Sequence, residues 1–415
     1  MTSQRREPNR DPLGASYWKL WTSSGMSNLA DGLFSVALPL VAIAYTQEPI
    51  LIAGVALALR LPWLLFALQA GALADRLDRR WLMVTANSIR AAALVVLAIA
   101  MFLDLGSIWL IYIVALGIGF AETIYDTSAQ SIMPQIVPKD QLSRANGRLY
   151  AVELTANAFV GPPLGGFLVA VGAALAFANA AGLWILAVGV LLLIRGNFKV
   201  ERTTRTSIRA DIAEGLRYLL GHRILRTLAI MTGIFNLASN AAFAVFVLYA
   251  VGPTSAMNLT EAGYGLLLTA TAVGSLLGSL VAERVERRLG RVRTLGIVVM
   301  TGGLVLAVPA FTDNPFIIAA GFFIDGIAIV LWNVVAVSLR QRIAPAYMLG
   351  RVNSSYRLLA WGTIPLGALL GGLFGQWLGL PFVFLAAGLL TVGLVGLLWI
   401  LTDDAMDAAE AETAE

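Results

Sequence analysis

Twelve apolar runs recur along the chain, at about 22–46, 50–74, 81–103, 107–132, 149–171, 175–194, 227–251, 263–282, 294–312, 315–338, 358–378 and 380–402. Each is close to the roughly 20 residues that cross a hydrocarbon core as helix. The polar gaps between them alternate in charge. Of 29 Lys and Arg residues, 27 fall in the N-terminal segment or in every second gap; the gaps at 47–49, 104–106, 172–174, 252–262, 313–314 and 379 hold none. Basic loops stay in the cytoplasm, so the pattern predicts a twelve-span, all-α integral membrane protein with both termini inside, in the cell membrane.

Composition agrees with a lipid solvent, because 58% hydrophobic and 13% charged residues leave more apolar surface than a soluble fold of this length hides. A formal charge of +4 and a pI near 9.5 would suggest nucleic acid in a soluble chain. Here the basic residues line one membrane face and match anionic lipid headgroups, so no nucleic-acid partner is expected. The absence of Cys excludes disulfides, thiolate metal sites and thiol nucleophiles. The one histidine, His222, falls in a gap rather than a span. The first residues lack the apolar core of a signal peptide, and Tyr17, Trp18 and Trp21 sit where an interfacial aromatic belt belongs. The acidic tail reads as disordered from its composition.

The widest gap divides the spans six and six. The expected organisation is a cytoplasmic segment (1–21), a first six-helix lobe (22–194), a linker with an amphipathic helix (195–226), a second six-helix lobe (227–402) and the acidic tail (403–415). In the linker, Ile208, Ile212, Leu216, Leu219 and Leu220 recur at helical spacing, which fits either a helix on the membrane surface or a soluble one. The halves repeat in the same direction: Ile136, Pro138, Leu142, Arg144 and Asn146 recur as Ile343, Pro345, Leu349, Arg351 and Asn353. Parallel repeats of six spans are a transporter design with substrate bound near the midplane.

Residues 71–80, GALADRLDRR, resemble the loop motif of the major facilitator superfamily. Gly71, Leu73, Asp75, Arg76, Arg79 and Arg80 match it, and Asp78 stands at its second glycine. In that family the cluster closes the cytoplasmic gate, with the glycine allowing close helix approach and the arginines pairing across the lobes; Arg90 and Asp126 are candidates for the same gate. Gly161, Pro162, Gly165 and Gly166 resemble the family's antiporter motif, with Asn157 at its first glycine. Asn28 to Gly32 and the stretch 134–146 resemble drug and siderophore exporters related to macrolide efflux pumps. The resemblance implies two parallel six-helix pseudo-repeats and export of small amphiphilic molecules by alternating access in exchange for protons, as a monomer.

Seven ionisable residues lie within the runs: Asp31, Arg60, Arg90, Glu122, Asp126, Glu153 and Asp325. Such groups cost about 2.5–3.5 kcal/mol each at the bilayer centre and should face a cavity or a partner. The first, fourth, seventh and tenth spans line the central cavity in the superfamily, which makes Asp31, then Asp325, then Glu122 the proton-coupling candidates. Arg90 could pair with Asp126 and leave Glu122 to titrate, or one structural salt bridge could absorb all three. Substrate-cavity candidates are Phe34, Arg60, Tyr125, Asn236, Asn240, Phe243, Trp332 and Asn333, a mixture suited to an apolar ligand with scattered polar groups. Proton-coupled uptake is the main rival. An intramembrane enzyme and a non-transporting receptor are remote ones, since no H-E-x-x-H, serine-nucleophile or phosphate-loop motif is present and no cofactor or metal is implied.

Overall fold

A computed structural model describes residues 13–74, 76–138, 141–196, 198, 208–252, 254–345 and 348–414. The helices are α1 (Ala15–Ala42), α2 (Pro49–Ala74), α3 (Arg79–Phe102), α4 (Ile108–Ile136), α5 (Leu142–Leu154), α6 (Gly161–Val171), α7 (Ala173–Leu192), α8 (Ile208–Gly221), α9 (Arg223–Ala250), α10 (Glu261–Leu289), α11 (Arg291–Ala307), α12 (Pro315–Ile343), α13 (Leu349–Trp361), α14 (Thr363–Leu378), α15 (Leu380–Gly393) and α16 (Asp403–Ala414). Twelve helical stretches are long and apolar enough to cross a membrane, in register with the twelve predicted runs. The fifth and eleventh begin a turn or two earlier than their hydropathy, because α5 and α13 open on polar turns held by narrow buried faces, Leu142, Ala145 and Leu149 in one and Leu349, Val352 and Tyr356 in the other. Large side chains face outward, with Phe102 80% and Phe316 83% exposed. In water each would forgo roughly 1.5–3 kcal/mol of burial; hydrocarbon removes that cost.

Two compact units result, residues up to 38 with 61–203, and 39–60 with 204–415. In the first, α3 lies along α4 and α7; in the second, α10 lies along α12, α9 along α14 and α11 along α15. The hairpin 39–60 belongs with the second unit, where a Cβ at Gly372 of α14 would come within 2.7 Å of the Ala53 Cβ.

Glycines set the tightest crossings. A Cβ at Gly161 would lie 2.6 Å from the Gly32 Cα, and one at Gly165 would lie 2.6 Å from the Leu33 carbonyl oxygen, so α6 meets α1 backbone to backbone. In the second unit Gly367 and Gly371 of α14 meet the Leu237 and Ala241 carbonyls of α9 in the same way. Just before α6 the chain makes one π-helical turn, Thr155–Val160. Pro162 and Pro163 lack the N–H groups that would close the α-helical ladder onto residues 158 and 159, and the turn widens there.

One expectation is corrected. The acidic tail forms a helix, because Met406 and Ala409 recur at helical spacing and are buried in the second unit's core while its carboxylates meet arginines. Glu410 pairs with Arg291 at 2.5 Å and with Arg342 at 3.3 Å, and Asp407 also contacts Arg291. Composition alone hid that stripe. The linker helix α8, expected either on the membrane surface or as a soluble helix, packs on the second unit: Leu219 is fully buried in the same core, Glu214 pairs with Arg351 at 2.8 Å, and the Tyr218 hydroxyl donates to the Ile343 carbonyl at 3.1 Å. The His222 Nδ1 caps α9 by accepting from the Leu225 N–H.

Candidate functional sites

A polar stripe on α1, Ser24, Ser27, Asn28 and Asp31, follows the three- and four-residue spacing of one helix face, and faces polar residues of α3, α4 and α5. At its centre Arg90 of α3 is completely buried. Its guanidinium carbon lies 5.3 Å from the Tyr125 ring centre and 5.1 Å from that of Trp184. Arg90 pairs with Asp31 at 3.4 Å and, at longer range, with Glu122 at 3.9 Å. Its Nη1 also donates to Ser27 and Asn87 at 3.4 and 3.3 Å.

The expected pair between Arg90 and Asp126 is not formed within 4 Å. Asp126 shares a face of α4 with Glu122 but lies one turn further along the helix, and it is Glu122 that falls level with the guanidinium. Asp126 instead lines a cavity of about 530 Å³ together with Asn28, Tyr125, Asn146, Tyr150 and Glu153. Glu153 accepts a hydrogen bond from Ser24 at 2.6 Å. Asp31 and Glu122, expected to be available carboxylates, both lean on one guanidinium.

The second unit has its own cavity, of about 380 Å³, bounded by Phe235, Asn236, Phe243, Asp325, Trp332, Asn333 and Trp361 among others. Asp325 is 8% exposed and makes no hydrogen bond or ion pair among the described residues. Space beside it depends on Gly302 of α11, where a Cβ would lie 3.0 Å from the Phe235 ring and 3.7 Å from the Asp325 carboxylate. The Asn236 amide donates to the Ala360 carbonyl at 2.7 Å, which ties α9 to α13 and fixes the cavity wall.

Of the predicted cavity residues, Tyr125 borders the first cavity, and Asn236, Phe243, Trp332 and Asn333 border the second. Phe34 is 3% exposed and packs against Trp184, so it serves the first unit's core. The Asn240 amide is turned back to the Asn236 carbonyl at 2.8 Å. Arg60 is exposed at the end of the hairpin in the second unit. Sequence reasoning missed Glu153, Trp361 and Trp184 as site residues. Glu153 was visible as an intramembrane acid; the other two carry no signal beyond ordinary aromatic content.

Two arginines of the loop motif are engaged within the first unit. Arg79 donates to the Ser131 carbonyl at 2.6 Å, and Arg80 reaches the Ile194 carbonyl. Asp78 explains the missing glycine: its carboxylate accepts from the Arg80 N–H at 2.9 Å and from the Phe198 N–H at 3.0 Å, in an extended conformation (φ −66°) that needs no glycine. A Cβ at Gly71 would meet nothing within 4 Å among the described residues. Arg76 is exposed, and Asp75 lies outside the described residues. In the antiporter-like stretch, Gly161, Pro162, Gly165 and Gly166 are all buried.

Comparison with known proteins agrees with this architecture. A family model for transmembrane secretion effectors matches residues 11–414. Multidrug efflux pump Tap of Mycolicibacterium fortuitum is 30% identical over 378 residues, covering 86% of this chain and 89% of its own length. Macrolide efflux protein A of Streptococcus pyogenes is 23% identical over 393 residues, with 91% and 93% covered. Among solved structures, the nucleoside transporter NupG has a TM-score of 0.73 at 15% identity over 93% of this chain and 98% of its own. A bacterial homologue of the iron transporter ferroportin, inward-facing, has a TM-score of 0.74 at 17% identity over 94% and 99%. These two likenesses concern the fold alone. With twelve membrane-spanning helices, a sequence repeat between its halves and a family match over nearly its whole length, the chain belongs to the transmembrane secretion effectors, a family of major facilitator transporters.

Proposed function

We propose that the protein is a secondary active exporter of small amphiphilic, drug-like molecules in the cell membrane, with both termini cytoplasmic, working by alternating access in exchange for protons. The observation that carries this reading is Asp325, a buried carboxylate without a partner among the described residues, in an aromatic-walled cavity. Such a wall suits an apolar body, and the carboxylate suits one cationic or hydrogen-bond-donating group. The names of the relatives, drug and macrolide efflux, support the same direction of transport. For proton exchange, the support is that two carboxylates in membrane-crossing helices, Asp31 and Glu122, share the Arg90 guanidinium, an arrangement in which a proton arriving on either acid would loosen its hold on the arginine. Each charge carried across the membrane yields about 2.3 kcal/mol per 100 mV.

The test is ethidium accumulation in everted vesicles under an imposed pH gradient. Accumulation with an acidic lumen, lost when the gradient is collapsed and strongly reduced in Asp325→Asn, is the expected result. Accumulation only with the gradient reversed would establish uptake by symport instead.

A further inference from the structure

Outward-facing tryptophans near the basic ends of the helices carry an arginine: Arg80 lies over Trp81 at 4.9 Å, Arg148 over Trp18 at 5.8 Å and Arg223 over Trp399 at 5.5 Å. Trp109 and Trp377, exposed at the opposite ends, carry none among the described residues. The three stacks differ in what surrounds them. Arg80 also reaches the Ile194 carbonyl. Beyond Trp18 no residue of α1 from 19 to 34 is exposed, so that helix offers no apolar surface beside its stack. The Arg223 guanidinium meets no hydrogen-bond acceptor, and no acid within 4 Å, among the described residues; its one neighbour is the Trp399 ring, on a side chain 70% exposed.

Arg226, one turn further along α9, is exposed and uses one nitrogen on the Leu220 carbonyl at 3.0 Å. Asp403, the first acid after Trp399, is turned instead to the Val292 N–H and Arg291. Deeper in the span both outward faces become apolar. Ile230 lies one turn beyond Arg226 and is 45% exposed, and Val395 lies one turn before Trp399 and is 36% exposed. Helix α9 leaves the basic side, the chain after α15 returns to it, and the two helices pack along each other. Their faces therefore form one seam, with two cations and an indole at its head and aliphatic side chains below.

We propose that this seam binds one anionic phospholipid of the leaflet at the basic face. The phosphate sits between Arg223 and Arg226, whose forked N–H groups match a phosphodiester. The Trp399 indole lies at the level of the glycerol, where tryptophan partitions, and the acyl chains run along Ile230 and Val395. That apolar continuation selects a lipid over a free phosphate. The net negative charge selects phosphatidylglycerol over phosphatidylcholine, whose choline brings a cation of its own. Asn236 of the second cavity stands on the same helix, so the lipid is held by an element that borders the candidate substrate site. The lipid site does not depend on what that cavity carries.

The test is native mass spectrometry of the full chain, delipidated in detergent and titrated with phosphatidylglycerol or phosphatidylcholine of matched acyl chains. A basic residue beside an anionic headgroup contributes about fivefold in affinity, so two of them should make the first phosphatidylglycerol bind at least about tenfold more tightly than phosphatidylcholine. Arg223→Gln and Arg226→Gln should each weaken it about fivefold, and the double variant should abolish the preference while phosphatidylcholine binding is unmoved. Arg287→Gln, at an exposed arginine paired with Glu283, should leave both lipids unchanged. Equal affinity of the wild type for the two lipids overturns the proposal, and that comparison needs no variant to fold. A preference that survives the double variant overturns it too, by placing the lipid at another basic patch. Displacement of the bound lipid by millimolar inorganic phosphate would mark a simple anion site and has the same consequence.

Discussion

Arg90→Met is the most revealing single change in the first unit. The side chain is replaced by an apolar one of similar length, so packing between Tyr125 and Trp184 is largely kept while Asp31 and Glu122 lose their shared cation. Removing one partner of a buried ion pair costs about 3–5 kcal/mol, and because the two carboxylates here are only partly buried the lower end of that range applies. At roughly 2–4 °C per kcal/mol the melting temperature should fall by about 10 °C. The chain has no Cys and ten Trp, so unfolding in detergent is followed by intrinsic fluorescence rather than thiol labelling. The triple variant Arg90→Met, Asp31→Asn, Glu122→Gln removes the orphaned charges as well and is expected to recover most of the loss. Its transport should remain abolished, since nothing there carries a proton. Arg90→Lys is expected to fall between, because an ammonium cannot stack its plane between two rings while reaching both acids. A melting point for Arg90→Met within about 1 °C of wild type, or a triple variant less stable than the single one, would refute the argument that burial of this charge cluster is what the arginine compensates.

Three further outcomes follow from the packing. Asp78→Ala removes the cap of α3 and the acceptor for the Phe198 N–H; it should cost about 1–2 kcal/mol, with Asp78→Asn milder, both read by thermal unfolding. Gly165→Leu must push α6 off the α1 backbone and should cost at least about 1–3 kcal/mol, whereas Gly182→Ala, where a Cβ meets nothing within 4 Å among the described residues, should be neutral or stabilising in the same assay. The tail helix is held in part by exposed charges, Asp407 and Arg342 among them; raising salt from about 50 mM to about 1 M shortens the screening length roughly fourfold, so amide exchange in 403–414 should quicken several-fold while that of α11 is unchanged.

Hydropathy and charge alternation read the spans well because the membrane imposes one length and one solvent on each of them. They could not read rotation. Glu122 and Asp126 are one turn apart on one face of α4, and a slide of about 6 Å between α3 and α4 decides which of them meets Arg90. Arg90 sits between Tyr125 and Trp184, and aromatic residues are too common in such a chain to announce that contact. The tail failed for a different reason: average composition says nothing of where Met406 and Ala409 fall on a helix. At Asp78 the motif's expected glycine concealed the alternative, an extended capping residue that any L-amino acid can adopt.

The internal repeat separates two kinds of constraint. At the helix crossings, Gly165 against Leu33 and Gly371 against Ala241, both halves keep a residue without a side chain, because backbone meeting backbone leaves no room to adjust. Around the cavities, the equivalent positions diverge from acid to amide, Asp126 to Asn333, and from phenol to indole, Tyr125 to Trp332, because a side chain bordering open space can change without moving a helix. The same scaffold can therefore carry ionisable chemistry in one half and aromatic chemistry in the other. That distribution leaves the aromatic cavity with a single acid, Asp325, to be desolvated when an apolar molecule enters, while in the first unit Asp31 and Glu122 keep Arg90 beside them.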